Sequence, residues 1–531
     1  MTDTQVHLFP LSVVTSTTMP GYSARIAGNP YAVGSFACIG GGLFGLDIAS
    51  MASVLSNNAY LRVFNNPGSN VQGAIVAAMP GGSLFGALAV TSLADRIGRK
   101  NTIILASIIW VIGGALQCAS VNRGMLVGGR VIAGISVGLS SSVVPIYQSE
   151  ITAPSIRGRL VSMQQWSITW GIMLQYFVQF GCSYINGTAS FRIPWGLQVI
   201  PAIILGIGML WFPESPRWLV DHDREEEALQ ILADLHGNGN MNDELVALEF
   251  EEIKEQVTFE RTEGAKSYAD LFKPGILRRV SLGCSLQMWS QLSGMNVMMY
   301  YIVYVFEGAG LTGRRGNLMA DSVQYVLNVV FTVPAIIYID RWGRRPLLII
   351  GSTFMGFFLC LVGGLQGGYG EWGTVNGSVV WVITNNPAVT KAIIVCSYLC
   401  VCSFAITIGP VSWTFPAEIF PMRVRAKAVS LATATNWLFN FALAWAVPSS
   451  LSNIGWKTYF VFATFNFVAA IHYTCCFPET AQRTLEEIED VFAQGHAFSA
   501  WAISREVGKR KLEDIVARKG VDETHECLEK S

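Results

Sequence analysis

The sequence predicts an all-α membrane protein of twelve transmembrane helices, arranged as two six-helix halves with short cytoplasmic helices between them. Three observations carry that prediction. Of the 531 residues, 51% are hydrophobic and only 14% are charged, with a mean hydropathy of +0.41, whereas a soluble domain carries roughly 25% charged residues. The apolar residues gather into runs long enough to cross a hydrocarbon core, which takes about 20 residues of helix. The polar motifs between those runs occur twice, in the same order.

Taken in order, residues 1–30 form a polar N-terminal segment without the apolar core of a cleavable signal peptide, so the first membrane helix is expected to serve as the targeting signal. The first six spans read as 31–55, 70–94, 101–119, 124–147, 158–182 and 195–213, giving an N-terminal half over 31–213. The stretch 214–275 is rich in Glu and reads as amphipathic cytoplasmic linker helices, as in EEEALQILADL. The second six spans read as 280–306, 319–339, 347–369, 390–416, 425–449 and 456–477, within a C-terminal half over 276–477. The remainder, 478–531, is a polar cytoplasmic tail with helical periodicity around LEEIEDVF.

Basic residues orient the bundle. The loops after spans 2, 4, 8 and 10 hold Arg96, Arg99, Lys100, Arg157, Arg159, Arg341, Arg344, Arg345, Arg423, Arg425 and Lys427. The alternate loops hold only Arg62, Arg123, Arg192, Arg314, Arg315 and Lys457, so both termini are expected in the cytoplasm. The acceptor tripeptides at Asn186 and Asn376 both fall in loops predicted to lie outside, where glycosylation takes place.

The repeat is specific. Asp95-Arg-Ile-Gly-Arg-Lys100 recurs as Asp340-Arg-Trp-Gly-Arg-Arg345, and Pro213-Glu-Ser recurs as Pro478-Glu-Thr. Glu150 precedes Arg157 by seven residues, as Glu418 precedes Arg425. Three motifs in one order imply a six-plus-six duplication, the parallel pairing of the major facilitator superfamily, with substrate near the midplane between the halves.

With GGGLFGLD (40–47), GRVIAGISVG (129–138), PESPRWL (213–219), QLSGMNVMMYY (291–301), GPVSW with PAEIFP (409–421) and PETAQRTLEE (478–487), the chain resembles the sugar porters of that superfamily. FGLDIASM and QMWSQLSGMNVMMYYIVYVF look most like fungal high-affinity monosaccharide–proton symporters. The resemblance implies transport of a neutral hexose such as glucose, coupled to protons, at the plasma membrane.

The residues of span 7 suit such a cargo. Amides and hydroxyls are costly in hydrocarbon unless partnered, yet Gln287, Ser290, Gln291, Ser293 and Asn296 sit there beside Trp289, Tyr300 and Tyr301. A carboxamide donates to one sugar hydroxyl and accepts from another, while an aromatic ring stacks on the apolar sugar face. The same groups also serve as glue between membrane helices. By resemblance, the sugar contacts fall on Gln165, Gln291, Asn296, Tyr300, Tyr301, Asn328, Trp413, Asn436 and Trp437. The family pairs two Gln at the start of the span 7 motif. Here Ser290 precedes Gln291, which implies altered affinity or epimer selectivity.

Asp47 and Arg130 are the ionisable residues deepest in the spans, and such groups mark function or a static pair. At a rise of ~1.5 Å per residue, Asp47 lies roughly 24 Å from the inner face and Arg130 roughly 9 Å from the outer, within a core ~30 Å thick. The depths match, so the two are expected to pair. In the family an Asp at this place accompanies proton symport, although some facilitators also keep it.

The remaining charges read as a cytoplasmic gate: Asp95, Arg99, Glu150, Arg157, Glu214 and Arg217 in one half, Asp340, Arg344, Glu418, Arg425 and Glu479 in the other. Exposed ion pairs contribute only ~0–1 kcal/mol each, so a network is required. Pro410 and Pro416 flank Trp413 and predict a kink there. No cofactor is expected. Eleven Cys and six His without metal-ligand spacing predict no metal site, a net charge of −1 gives no reason for a nucleic-acid partner, and oligomeric state is open. Competing readings are proton-independent facilitated diffusion, another neutral sugar or polyol, and a sugar sensor. An enzyme is the least favoured, for lack of a nucleophile elbow or nucleotide loop.

Overall fold

A computed structural model describes residues 28–481, apart from 53, 56, 153, 238, 264–266, 311–313, 376–377, 384–385 and 422–423, together with Ile488 and Phe492. Asn376 and the side chains of Arg157 and Asp340 lie outside the described residues, as do most of the tail and residues 1–27.

Nine helical spans among the described residues are long and apolar enough to cross a membrane. Three more helices complete the twelve: Pro154–Cys182, Arg425–Ile454, and the seventh span, broken into Leu277–Leu292, Met295–Tyr300 and Ile302–Gly308. These three, the fifth, eleventh and seventh, are less apolar because they carry Gln164, Gln165, Gln175, Gln287, Gln291, Asn436 and Asn440. Polarity within a span therefore marks the helices that line the centre.

Several spans differ from the sequence expectation. The first is two helices, Pro30–Ala37 and Ile39–Ala52, and the sixth is Ala189–Leu197 followed by Val199–Met209. The second and fourth run on to Ile97 and Ile151. The tenth span breaks at Thr407, between Pro387–Ile406 and Ile408–Ile419, rather than beside Trp413. Pro410 explains the position, because its ring clashes with the carbonyl of Ile406 four residues earlier. Before the tenth span, Gly370–Val375 pairs antiparallel with Ser378–Ile383. That hairpin was not expected, although its Val and Ile residues favour a strand.

The linker, with helices Glu225–His236 and Glu244–Glu263, docks on one end of the bundle. Trp218 Nε1 donates to the Asp95 carbonyl at 3.0 Å, and His236 lies 2.7 Å from Glu249 and 3.3 Å from the Ile151 carbonyl. Burial works to lower the His236 pKa, and the Glu249 carboxylate outweighs it, so the net direction is upward.

Candidate functional site

The seventh span is broken where its sequence demands it. Gly294 adopts φ +85°, a conformation only glycine takes readily, and stops the helix after Leu292. A break inside hydrocarbon leaves backbone carbonyls to be satisfied by neighbours. Asn466 donates to the Ser293 carbonyl at 2.9 Å, Gln324 to Met298 at 2.7 Å and Tyr325 to Met299 at 3.0 Å.

Around this break the amides form a chain. Asn296 donates to the Gln291 oxygen, and Gln291 donates in turn to the Asn436 oxygen. Across the divide between the halves, Trp413 Nε1 donates to Gln165 at 3.0 Å. Trp437 Nε1 donates to Ser141 Oγ at 3.3 Å, its ring edge-on to Phe44 at 4.7 Å. Asn328 is buried, with its amide oxygen unpartnered among the described residues. Gln165, Gln291, Asn296, Trp413, Asn436 and Trp437 thus converge from spans 5, 7, 10 and 11. Each amide can exchange its neighbour for a sugar hydroxyl without leaving a charge in the membrane.

Four prolines add a pattern that motif reading missed. A proline inside a helix leaves the carbonyl four residues earlier without its backbone donor. Pro80, Pro145, Pro416 and Pro448 therefore free the carbonyls of Val76, Ser141, Ser412 and Ala444. Each accepts from a polar side chain of another span: Arg130 at 3.4 Å, Gln164 at 3.3 Å, Gln287 at 2.7 Å and Tyr301 at 2.6 Å. Gln287 and Tyr301 thereby tie neighbouring spans together. The signal was in the sequence, but the partner of each carbonyl depends on tertiary packing.

Arg130 and Asp47 meet with both side chains fully buried. The guanidinium reaches Asp47 at 2.9 and 3.3 Å and donates Nε–H to the Ile75 carbonyl at 2.8 Å. Tyr300 senses both charges and lies beside Asn440. Asn440, one turn beyond Asn436, is a central residue the sequence reading omitted.

At the linker end the charges form two clusters, one within each half. Arg99 pairs with Glu150 at 2.9 Å and with Asp95 at 3.7 Å, while Glu214 accepts from the backbone N–H of Arg99, Lys100 and Ser215. Burial pushes the Glu214 carboxyl up, and those N–H groups and Arg99 pull it back. In the other half Arg344 pairs with Glu418 at 2.7 Å, and Glu479 accepts from the N–H of Arg344, Arg345 and Thr480. Gly98 and Gly343, at φ +93° and +86°, must be glycine, since a Cβ there would strike the Glu214 or Glu479 carboxylate. Arg217 pairs with Glu260 of the linker at 2.5 Å, and Arg425 Nε donates to the Phe420 carbonyl at 3.3 Å. Among the described residues, Ser430 donates to the Ala87 carbonyl across the halves at 2.6 Å and meets Tyr268 of the linker at 2.9 Å, while Lys427 acts on Asp95 from the other half. Asn186, the other acceptor tripeptide, is exposed at the opposite end.

Two six-helix halves around a buried, uncharged amide chain define a multi-pass membrane transporter. Residues 33–492 match the family model for "Sugar (and other) transporter", and the chain belongs to that family of secondary transporters, which are not enzymes. It is 50% identical over 527 residues to the MFS glucose transporter mfs1 of Aspergillus flavus, covering 94% of this chain and 99% of that one. It is 46% identical to the high-affinity glucose transporter of Kluyveromyces lactis, covering 89% and 86%. The proton:xylose symporter XylE of E. coli, bound to 6-bromo-6-deoxy-D-glucose, superposes with a TM-score of 0.74 at 26% identity, covering 89% of this chain and all of that one.

Proposed function

We propose that this protein takes up glucose or a related hexose across the plasma membrane by alternating access coupled to proton symport. The carrying observation is the chain Asn296–Gln291–Asn436 in one half together with the bond from Trp413 to Gln165, which crosses between the halves. It offers donors and acceptors to a neutral polyol from both sides of the divide, so one bound sugar holds the two halves together. The names of the relatives, two glucose transporters and a proton:xylose symporter, support the same cargo class and coupling.

In this reading Gln165, Gln291, Asn296, Asn328, Trp413, Asn436 and Trp437 contact the sugar, with Tyr300 relaying to Asp47–Arg130. Tyr301 acts by fixing span 11. Protonation of Asp47 weakens its hold on Arg130 and frees spans 1 and 4 to move. The linker end is cytoplasmic, with segment 1–30, linker 214–275 and tail 478–531 on that side of halves 31–213 and 276–477. The charge clusters act as gate supports, each fixing the helix ends of its own half while the neutral contacts between halves open and close. Asn186 and Asn376 lie outside and carry glycans.

Facilitated diffusion is the second reading. It is favoured by the four bonds that satisfy Arg130, as a static pair requires. Uptake of labelled glucose into cells lacking their own hexose carriers, with and without protonophore, separates the two. Accumulation that collapses with protonophore, and that Asp47→Asn abolishes while leaving exchange intact, is the expected result. Equilibration indifferent to protonophore would make the pair structural.

A further inference from the structure

Asp321 is a second buried acid, on span 8, that the transport reading above does not use. Its side chain is fully buried, and among the described residues one carboxyl oxygen meets only the Tyr176 hydroxyl at 3.3 Å while the other has no partner. Tyr176 is on span 5 and Asp321 on span 8, so this hydrogen bond joins the two halves. The rings of Tyr176 and Tyr325 pack against each other in a tilted arrangement, 4.6 Å between centroids. The titratable groups that act on this cluster are Tyr176, Tyr325, Tyr398 of span 10 and Glu307 at the end of span 7. No cation pairs with Asp321 among the described residues. By contrast Asp47, equally buried, has a guanidinium within 2.9 Å.

An ionised carboxylate without a counter-charge is expensive away from water, so the closed geometry requires the neutral acid, with one oxygen accepting from or donating to Tyr176. Position gives this consequence. Asp321 is seven residues from Asn328 toward the end opposite the linker, about 10 Å at the rise of an α-helix. It therefore lies between the sugar residues and the outer face, where spans 5 and 8 must part for outward opening.

We propose that Asp321 is a proton-binding site of the outer gate: it holds a proton while spans 5 and 8 are closed, and releases it to external water when they part. This rests on the transport reading and its orientation, and it assigns a second proton event, separate from Asp47, to closure of the outer mouth. Rising external pH then favours the ionised, parted state and slows the return to the closed one.

The test has two arms. In purified protein reconstituted in lipid nanodiscs, the infrared carbonyl-stretch band of protonated carboxylic acids is expected to lose intensity in Asp321→Asn and to keep it in Asp47→Asn. Should Asp321→Asn not fold, Tyr176→Phe is expected to shift that band by removing its hydrogen-bond partner. An unchanged band in a folded Asp321→Asn, or in Tyr176→Phe, overturns the proposal. In the second arm, equilibrium exchange of labelled glucose is followed at stepped pH in an Asp47→Asn background, with no pH gradient. Exchange is expected to fall severalfold as pH rises, and Asp321→Asn is expected to flatten that fall. A fall that persists in the double variant overturns the gate role. Absence of exchange in the background would count against the transport reading, and the infrared band still decides Asp321.

Discussion

In the N-terminal half Glu214 caps the start of span 3, Arg99 reaches Glu150 at 2.9 Å, and Ser215 Oγ donates to the same Glu150 at 2.5 Å. In the C-terminal half Glu479 caps span 9, Arg344 reaches Glu418 at 2.7 Å, and Thr480 donates to Glu418 at 2.7 Å. Even the secondary contacts repeat, with Arg99 donating to the Ala94 carbonyl at 3.3 Å and Arg344 to Ile339 at 3.2 Å. Inside the bundle the same two halves diverge. Spans 1 and 4 place a buried carboxylate and guanidinium inside the bundle, whereas spans 7 and 10 place Gln291, Asn296 and Trp413. The frame repeats because it serves the helix ends, whose free N–H groups and positive dipole want a carboxylate in either half. The centre diverges because a proton is held by an ionisable group and a hexose by neutral amides. The N-terminal half carries the buried ion pair, and the C-terminal half carries most of the amide groups.

The largest effect is expected from breaking the charged side of that division. Arg130→Ala leaves Asp47 buried without its cation, a loss of about 3–5 kcal/mol. Thermal unfolding of the purified protein should show it, and Asp47→Asn combined with Arg130→Ala should recover part of it. No recovery would mean that Arg130 acts mainly on the Ile75 and Val76 carbonyls. On the neutral side, Gln291→Ala removes the middle of the amide chain and leaves the buried Asn436 and the half-buried Asn296 short of a partner, about 1–3 kcal/mol. Glucose affinity should fall roughly tenfold to hundredfold, read from the concentration dependence of uptake, with the fold retained. Wild-type affinity would remove Gln291 from the sugar site. Smallest, and shared by the halves, is the frame. Arg99→Ala and Arg344→Ala should each cost about 1–3 kcal/mol and slow uptake alike. A stability difference between them above about 1 kcal/mol would show that the two clusters are not equivalent.

Much of the site was legible in the chain. Gln165, Gln291, Asn296, Trp413 and Asn436 stand out because uncharged polar side chains in long apolar runs are rare and costly, and the structure brings them together. Matching depth paired Asp47 with Arg130. Other parts were not legible. The gate reading sets the linker-end charges across the two halves, whereas the pairs Arg99–Glu150 and Arg344–Glu418 each lie within one half, since an acid caps the nearest helix start. The resemblance marks Tyr301 as a sugar contact but says nothing of its bond to the Ala444 carbonyl that Pro448 frees, a partner 143 positions away. Asp321 and Asn440 passed unnoticed because neither lies in a repeated motif.

By itself the sequence determined the number of spans, their duplication and the helix-end motifs. Those depend on hydropathy and on residues within a few positions of one another, such as Gly98 and Arg99. Tertiary structure decided which polar group answers which. Tyr176 and Asp321 lie 145 positions apart, as do Gln291 and Asn436. In a hydrocarbon core every freed carbonyl and every amide must find a partner, and only the packing of distant helices settles which one it finds.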